Sequence, residues 1–236
     1  IADLFPPRDF PGVTADSDRA GLEFLQQLNR IHHQSRSGNS ELEARIVAYE
    51  MAARLQLSAP EVTDLRGETR ATRKLYALDH PDLGRFGRQC LLARRFAERG
   101  VRFVELTINP GNGDRWDQHG GLKSGHSKNA MAVDQPIGAL IKDLKSRGLL
   151  ESTLLVFSGE FGRTPFAQGR DGRDHNPQGF SLWMAGGGIR GGTIFGATDE
   201  YGYRVVQNKL TVHDLHANML HLLGMDHKKL TYRYGG

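Results

Sequence analysis

Two polar stretches of this sequence carry side chains that could hold an ion or an anion. The first, Asn109-Pro110-Gly111-Asn112-Gly113-Asp114-Arg115-Trp116-Asp117-Gln118-His119-Gly120-Gly121, offers Asp117 and His119. Residues two apart in an extended chain project to the same side, about 6.6 Å apart along the backbone, so this carboxylate and imidazole can face one ligand. His126 is a further candidate. The second stretch supplies Glu160 and Arg163 in Ser158-Gly159-Glu160-Phe161-Gly162-Arg163-Thr164-Pro165, then Asp174 and His175 in Gly172-Arg173-Asp174-His175-Asn176-Pro177. Carboxylate oxygen combined with imidazole nitrogen suits zinc or manganese better than calcium, which takes oxygen ligands. A divalent ion is therefore a candidate ligand, with the identity left open among zinc, manganese and calcium.

Simpler readings stand beside these. Asp114, in a Gly-Asn turn, bonds its own backbone most simply. Asp174 to Pro177 also reads as a turn that stops at a proline. Arg163 can grip an anion through two parallel hydrogen bonds, or it can form a packed ion pair. Trp116 is more simply a packed lid residue than a substrate platform. His213 opens the last helix and joins Asp117, His119, Glu160, Asp174 and His175 as a candidate metal ligand, whereas its neighbour Asp214 is explained by capping. Arg163 is the candidate catalytic residue.

The elements that must position these loops follow from periodicity. Leu22, Leu25, Leu28 and Ile31 mark one helix, ending in His32 and His33, where histidine is comfortable beside the negative carbonyl terminus without any ligand. Asp18 is placed to cap it. Ser40 with Glu43 makes a capping-box pattern for the next helix, with Leu42, Ile46, Tyr49, Ala53 and Leu57 as its stripe. Residues 1–80 thus read as a helical region and residues 81–236 as an α/β domain. In the latter, a helix from Pro81 to Gly100 leads to a strand over residues 101–108, and a helix around Met131 to Leu144 leads to a strand over residues 153–158. Helix and strand alternate, which predicts two parallel neighbouring strands in a mostly parallel sheet flanked by helices. Both polar loops then leave the same sheet edge, the usual position of ligands in such folds. Phe180 to Ala185 predicts another strand, Gly186-Gly187-Gly188 a turn, residues 203–207 an edge strand, and Thr211 onward a capped helix.

Composition excludes some functions. The chain has 236 residues, a formal charge of +4 and a single cysteine. Basic residues are interleaved with acidic ones, so no nucleic-acid partner is expected. Cys90 cannot form an internal disulfide or a thiolate cluster, and it reads as a packed thiol. No apolar run approaches the roughly 20 residues of a membrane helix, so no transmembrane segment is expected. The opening Ile1-Ala2-Asp3 and the closing Tyr234-Gly235-Gly236 read as the interior of a longer protein. The oligomeric state is open.

Five motifs together resemble the DUF1501 family. They are Phe157-Ser-Gly-Glu-Phe-Gly-Arg-Thr-Pro165, Gly172-Arg-Asp-His-Asn-Pro177, Met184-Ala-Gly-Gly-Gly-Ile-Arg-Gly-Gly192, Trp116-Asp-Gln-His119 and Leu210-Thr-Val-His-Asp-Leu-His-Ala-Asn-Met-Leu-His-Leu-Leu-Gly224. The resemblance implies a bacterial, often planctomycete, exported or periplasmic protein related to the alkaline phosphatase and sulfatase superfamily. It implies that superfamily's α/β sandwich and metal-dependent hydrolysis of phosphate or sulfate esters at a site with one or two divalent metal ions, with a small-molecule or polysaccharide ester as substrate. Glu160 stands where the superfamily supplies a metal-binding carboxylate, but Phe161 stands where histidine or asparagine is expected. The nucleophile-bearing amino-terminal strand has no counterpart in the sequence, which therefore resembles the carboxyl-terminal portion of such a protein. These departures keep open an alternative, a non-catalytic exported binding or scaffold protein. A serine hydrolase using Ser158 is the weakest reading, because the glycine two positions before the serine is missing.

Overall fold

The computed structural model describes residues 14–36, 38–108 and 116–231. Contacts divide the chain into two compact units, residues 1–68 and 69–236. No helix among the described residues is long and apolar enough to cross a membrane. The turn expected at Asp114 lies outside the described residues.

The first unit is a pair of contacting helices, α1 (Ala15–Gln34) and α2 (Ser40–Thr63). Thr14, rather than Asp18, caps α1: its hydroxyl accepts the Ser17 N–H at 3.1 Å, and the Ser17 hydroxyl accepts the Thr14 N–H at 2.8 Å. Asp18 falls in the first turn, where its charge complements the helix dipole. Asn39 caps α2 by accepting the Leu42 N–H at 3.0 Å, so Ser40 is the first helical residue and not the cap. Half-buried positions of α1 recur at Asp18, Leu22, Gln26, Asn29 and His33, the spacing of one face, while Phe24, Leu25, Leu28 and Ile31 stand exposed.

The second unit is built on helices α3 (Arg70–Leu75), α4 (Gly84–Glu98) and α5 (Leu122–Ser146). The core lies where α4 meets α5: Phe86, Cys90 and Leu91 are buried, as are Ala132, Val133, Ala139, Leu140 and Leu144. Burial pushes the Cys90 thiol up to about 12, so the group is an inert packing element as its sequence position suggests. A buried polar cluster sits beside this core. The Asp143 carboxylate accepts from the Tyr76 hydroxyl at 3.0 Å and from Arg147 Nε at 2.7 Å and forms an ion pair with Arg94, whose Nε lies 3.1 Å away, and both arginines also reach Glu98.

The expectation of a mostly parallel, sandwich-like sheet is overturned. Among the described residues the strands form three separate antiparallel pairs: β1 (Leu155–Phe157) with β4 (Trp183–Ala185), β2 (Gly162–Arg163) with β3 (His175–Asn176), and β5 (Ala197–Thr198) with β6 (Val205–Gln207). Leu155 faces Ala185 and Phe157 faces Trp183, so β1 pairs with a segment that returns from downstream and not with residues 101–108. Those residues form no strand and bend at Arg102, and Phe103 is exposed. β-Propensity reports how well side chains suit a pleated, half-buried surface, and it does not name a partner. An apolar run as short as Leu155–Phe157 is equally compatible with an antiparallel ribbon, where it is half-buried instead of covered on both faces. The chain leaves that ribbon by turning at Gly186 and Gly187, both at positive φ, against Leu150, Thr153 and Leu154.

After β6, helix α6 (Val212–Leu222) begins with the expected capping box. Asp214 Oδ2 accepts the Thr211 N–H and hydroxyl, each at 2.7 Å, and these bonds hold its carboxyl below the usual range. A depressed carboxylate contributes its stabilisation above the unfolded-state value and loses it as pH falls through the folded-state value. The Thr211 amide should therefore be protected from hydrogen exchange at neutral pH and lose protection in acid before the α4–α5 core unfolds. Asp214→Asn should remove that pH dependence.

Candidate metal centre

A loop and a hairpin bring the principal side chains together. Residues 116–121 enter α5 through bends at Trp116, His119 and Gly120 and not as the expected extended run, yet the Asp117 and His119 side chains still meet at 3.0 Å. Gln118 is buried, and its carboxamide covers Gly125 so closely that a Cβ there would overlap it. The same carboxamide meets His126 Nδ1, and the edge of Trp116 lies against the His126 ring at 5.5 Å. His126 thus anchors the loop, and Trp116 packs there as half-buried cover. On the opposite side, the Arg173 N–H donates to the Gln118 carbonyl at 3.0 Å and the Gly121 N–H to Asp171 at 3.0 Å. Gly172 lies directly against the His119 carbonyl, leaving no room for a side chain.

The hairpin β2–β3 supplies the other half. Gly162 faces Asn176 and Arg163 faces His175, so Arg163 and His175 stand side by side. Asn176 is buried and fixes the hairpin by donating to the Tyr203 carbonyl at 2.9 Å. Phe161 packs on His175 with ring centroids 4.3 Å apart, and the Arg163 guanidinium lies 5.5 Å from the Phe161 ring centroid.

All of this converges on one oxygen. Asp117 Oδ1 lies 2.6 Å from Arg163 Nη1, 3.0 Å from His119 Nε2 and 3.0 Å from His175 Nε2. The ligand atoms of Asp117, His119 and His175 all fall within 4.8 Å of one another. Hydrogen bonds from His175 and then Arg163 hold the Asp117 carboxyl at about 2. The Gln168 carboxamide, which meets His119 Nδ1, raises the His119 imidazole above its ordinary value, with the charge of Asp117 adding to the effect. Side chains here are half-exposed, so the cluster is open to solutes on one side.

One carboxylate oxygen and two imidazole nitrogens make a donor set that fits zinc or manganese and leaves coordination positions for water or substrate. Two imidazoles fit calcium poorly. Gln168 on Nδ1 of His119 is the kind of outer partner that orients a metal-binding imidazole through its other ring nitrogen.

The remaining candidates are placed differently. Glu160 is exposed and meets Arg163 Nη2 at 3.3 Å, steadying the guanidinium instead of joining the three ligands. The Asp174 carboxylate turns back to accept the His175 N–H at 2.8 Å. His213 is exposed in the first turn of α6 beside Asp214 and is not among the clustered ligands. Ser158 donates to the Gly159 carbonyl at 2.7 Å. Gln118, Gln168 and Asp171 were not singled out by the sequence.

A loop clamped at glycines and a short hairpin, joined at a carboxylate shared by two histidines and an arginine, define a candidate metal-binding protein. The chain belongs to the DUF1501 family, described as a protein of unknown function, whose profile matches residues 8–236. No curated protein and no solved structure matches the chain.

Proposed function

We propose that this DUF1501 chain is a metal-dependent hydrolase of phosphate or sulfate esters, with Asp117, His119 and His175 as metal ligands and Arg163 as the group that grips the ester's anionic oxygens. The observation that supports this most is the gathering of three ligand atoms within 4.8 Å beside a guanidinium. When bound, a divalent ion would polarise the ester and offset negative charge developing on its oxygens. Gln168 would hold His119 with Nε2 toward the ion. Glu160 and the Phe161 ring would keep Arg163 at the site while its fork turns to the anion. Phe161 would also exclude water from one side of His175. The attacking group is not assigned to any of these residues. Exported or periplasmic location and a small-molecule or polysaccharide ester as substrate belong to the same reading.

One observation favours a second reading, a binding or scaffold protein. Asp117 Oδ1 already receives three donors, an arrangement that is also sufficient as a polar knot tying loop to hairpin. Release of nitrophenol from 4-nitrophenyl phosphate and 4-nitrophenyl sulfate, with zinc or manganese supplied, separates the two. Turnover that needs metal and falls by about 100-fold or more in Arg163→Ala supports the hydrolase. Absence of turnover with both esters, in a chain that also takes up no metal, supports the scaffold.

A further inference from the structure

A divalent ion and Arg163 have claims on the same atom. Arg163 Nη1 sits 2.6 Å from Asp117 Oδ1, the very oxygen that His119 Nε2 and His175 Nε2 flank at 3.0 Å each. An ion held by those three ligand atoms would therefore share its carboxylate oxygen with a guanidinium that cannot lose its charge. Two cations on one oxygen repel, so the ion pair between Arg163 and Asp117 opposes metal loading. Arg163 has somewhere else to go. Its second nitrogen, Nη2, already reaches past Asp117 to Glu160 at 3.3 Å, and its plane lies near the Phe161 ring, so the guanidinium keeps two holds when it leaves Asp117. A tetrahedral oxyanion matches the fork of a guanidinium, whereas a lone carboxylate oxygen uses only one of its nitrogens.

Resting on the metal reading given above, we propose that Arg163 couples metal loading to oxyanion binding. With no anion present the arginine occupies Asp117 and weakens the metal site. A phosphate or sulfate group draws the arginine off, frees Asp117 Oδ1 for the ion and adds a negative charge beside it. Because coupling between two binding events is reciprocal, bound metal strengthens oxyanion binding by the same factor. The ligand of this composite site is thus a metal and a tetrahedral oxyanion together, each binding more weakly without the other.

Calorimetric titration of the full chain with zinc, with and without inorganic sulfate and with chloride at matched ionic strength as the control, tests this directly. Coupling between ligands commonly spans about 5- to 150-fold, and an exposed ion pair puts this case near the lower end, so sulfate should tighten zinc binding by roughly five- to tenfold. Arg163→Gln should bind zinc about that much more tightly than the wild type before any sulfate is added, and sulfate should then add little. Arg163→Lys keeps the charge but loses the fork, so its zinc affinity should stay near that of the wild type and its response to sulfate should shrink. If Arg163→Gln binds zinc no better than the wild type, or if sulfate acts equally on both, the coupling is wrong while the metal centre stands. If neither protein binds zinc under any of these conditions, the metal centre is wrong and the coupling falls with it. The Arg163→Lys titration decides the question should Arg163→Gln fail to fold.

Discussion

Replacing Asp143 by alanine is expected to lower the unfolding free energy by about 3–5 kcal/mol, the range for removing one partner from a buried charge cluster. Asp143 accepts from Tyr76 and Arg147 and pairs with Arg94 at the junction of α4 and α5, where Tyr76 is fully buried and Arg94 is 4% exposed. Burial and the neighbouring Asp143 charge raise the Tyr76 hydroxyl's pKa, so it stays protonated and donates at every pH of interest. Without Asp143, the Tyr76 hydroxyl loses its acceptor and Arg94, nearly closed off from water, loses a countercharge 3.1 Å away. Urea denaturation of wild type and Asp143→Ala measures the loss. Tyr76→Phe, which deletes a single donor, should cost only about 1 kcal/mol. A loss below about 1 kcal/mol in Asp143→Ala would mean that the cluster is hydrated and not a structural element.

The second large effect concerns metal affinity. His175→Ala removes one of three ligand atoms and should weaken zinc binding by more than about 100-fold, because even partners behind a ligand cost about 10- to 100-fold when removed. Asp117→Asn should do the same, since a carboxamide neutralises the charge that both imidazoles face. Gln168→Ala should fall in the lower range, through loss of the bond to His119 Nδ1. Glu160→Ala and Asp174→Ala should alter affinity far less, as one carboxylate is engaged by Arg163 and the other by its own chain. Competition with a zinc-sensitive dye reads all five. An equal loss in His175→Ala and His213→Ala would show that the binding is unspecific to the cluster, because His213 lies exposed on α6.

The sequence made the centre of the site readable, since Asp117 and His119 lie two residues apart in one short loop and reach the same point even though that loop is bent. His175 was readable as the histidine of the second loop. What misled was local competition for the same groups. Asp174 stands next to His175, yet a short acidic side chain finds its own backbone first. Glu160 is close enough to Arg163 to be taken by it, three residues away. The supporting glutamines were invisible because a carboxamide acquires its role only from what the fold sets opposite it.

The fold shows the same division between local and distant information. The capping box at Thr211 and Asp214 involves neighbours in sequence and formed as expected. Strand partners are distant, and nothing within Val101 to Ile108 or Leu155 to Phe157 states which segment each will meet. Residues 101–108 met none among the described residues, and β1 met a returning antiparallel segment. The site survives this correction because the loop and the hairpin that build it are clamped to each other, through Gln118, Asp171 and Gly172, and do not depend on a shared sheet edge.

Metal content of the full chain, purified without chelator, supplied with zinc or manganese at neutral pH and then dialysed, tests the central claim most directly. About one ion per chain is expected, as one carboxylate and two imidazoles make a single mononuclear set, and it should be absent from His175→Ala. A wild-type chain that stays metal-free under these conditions, or that retains its ion when His175 is gone, would contradict it.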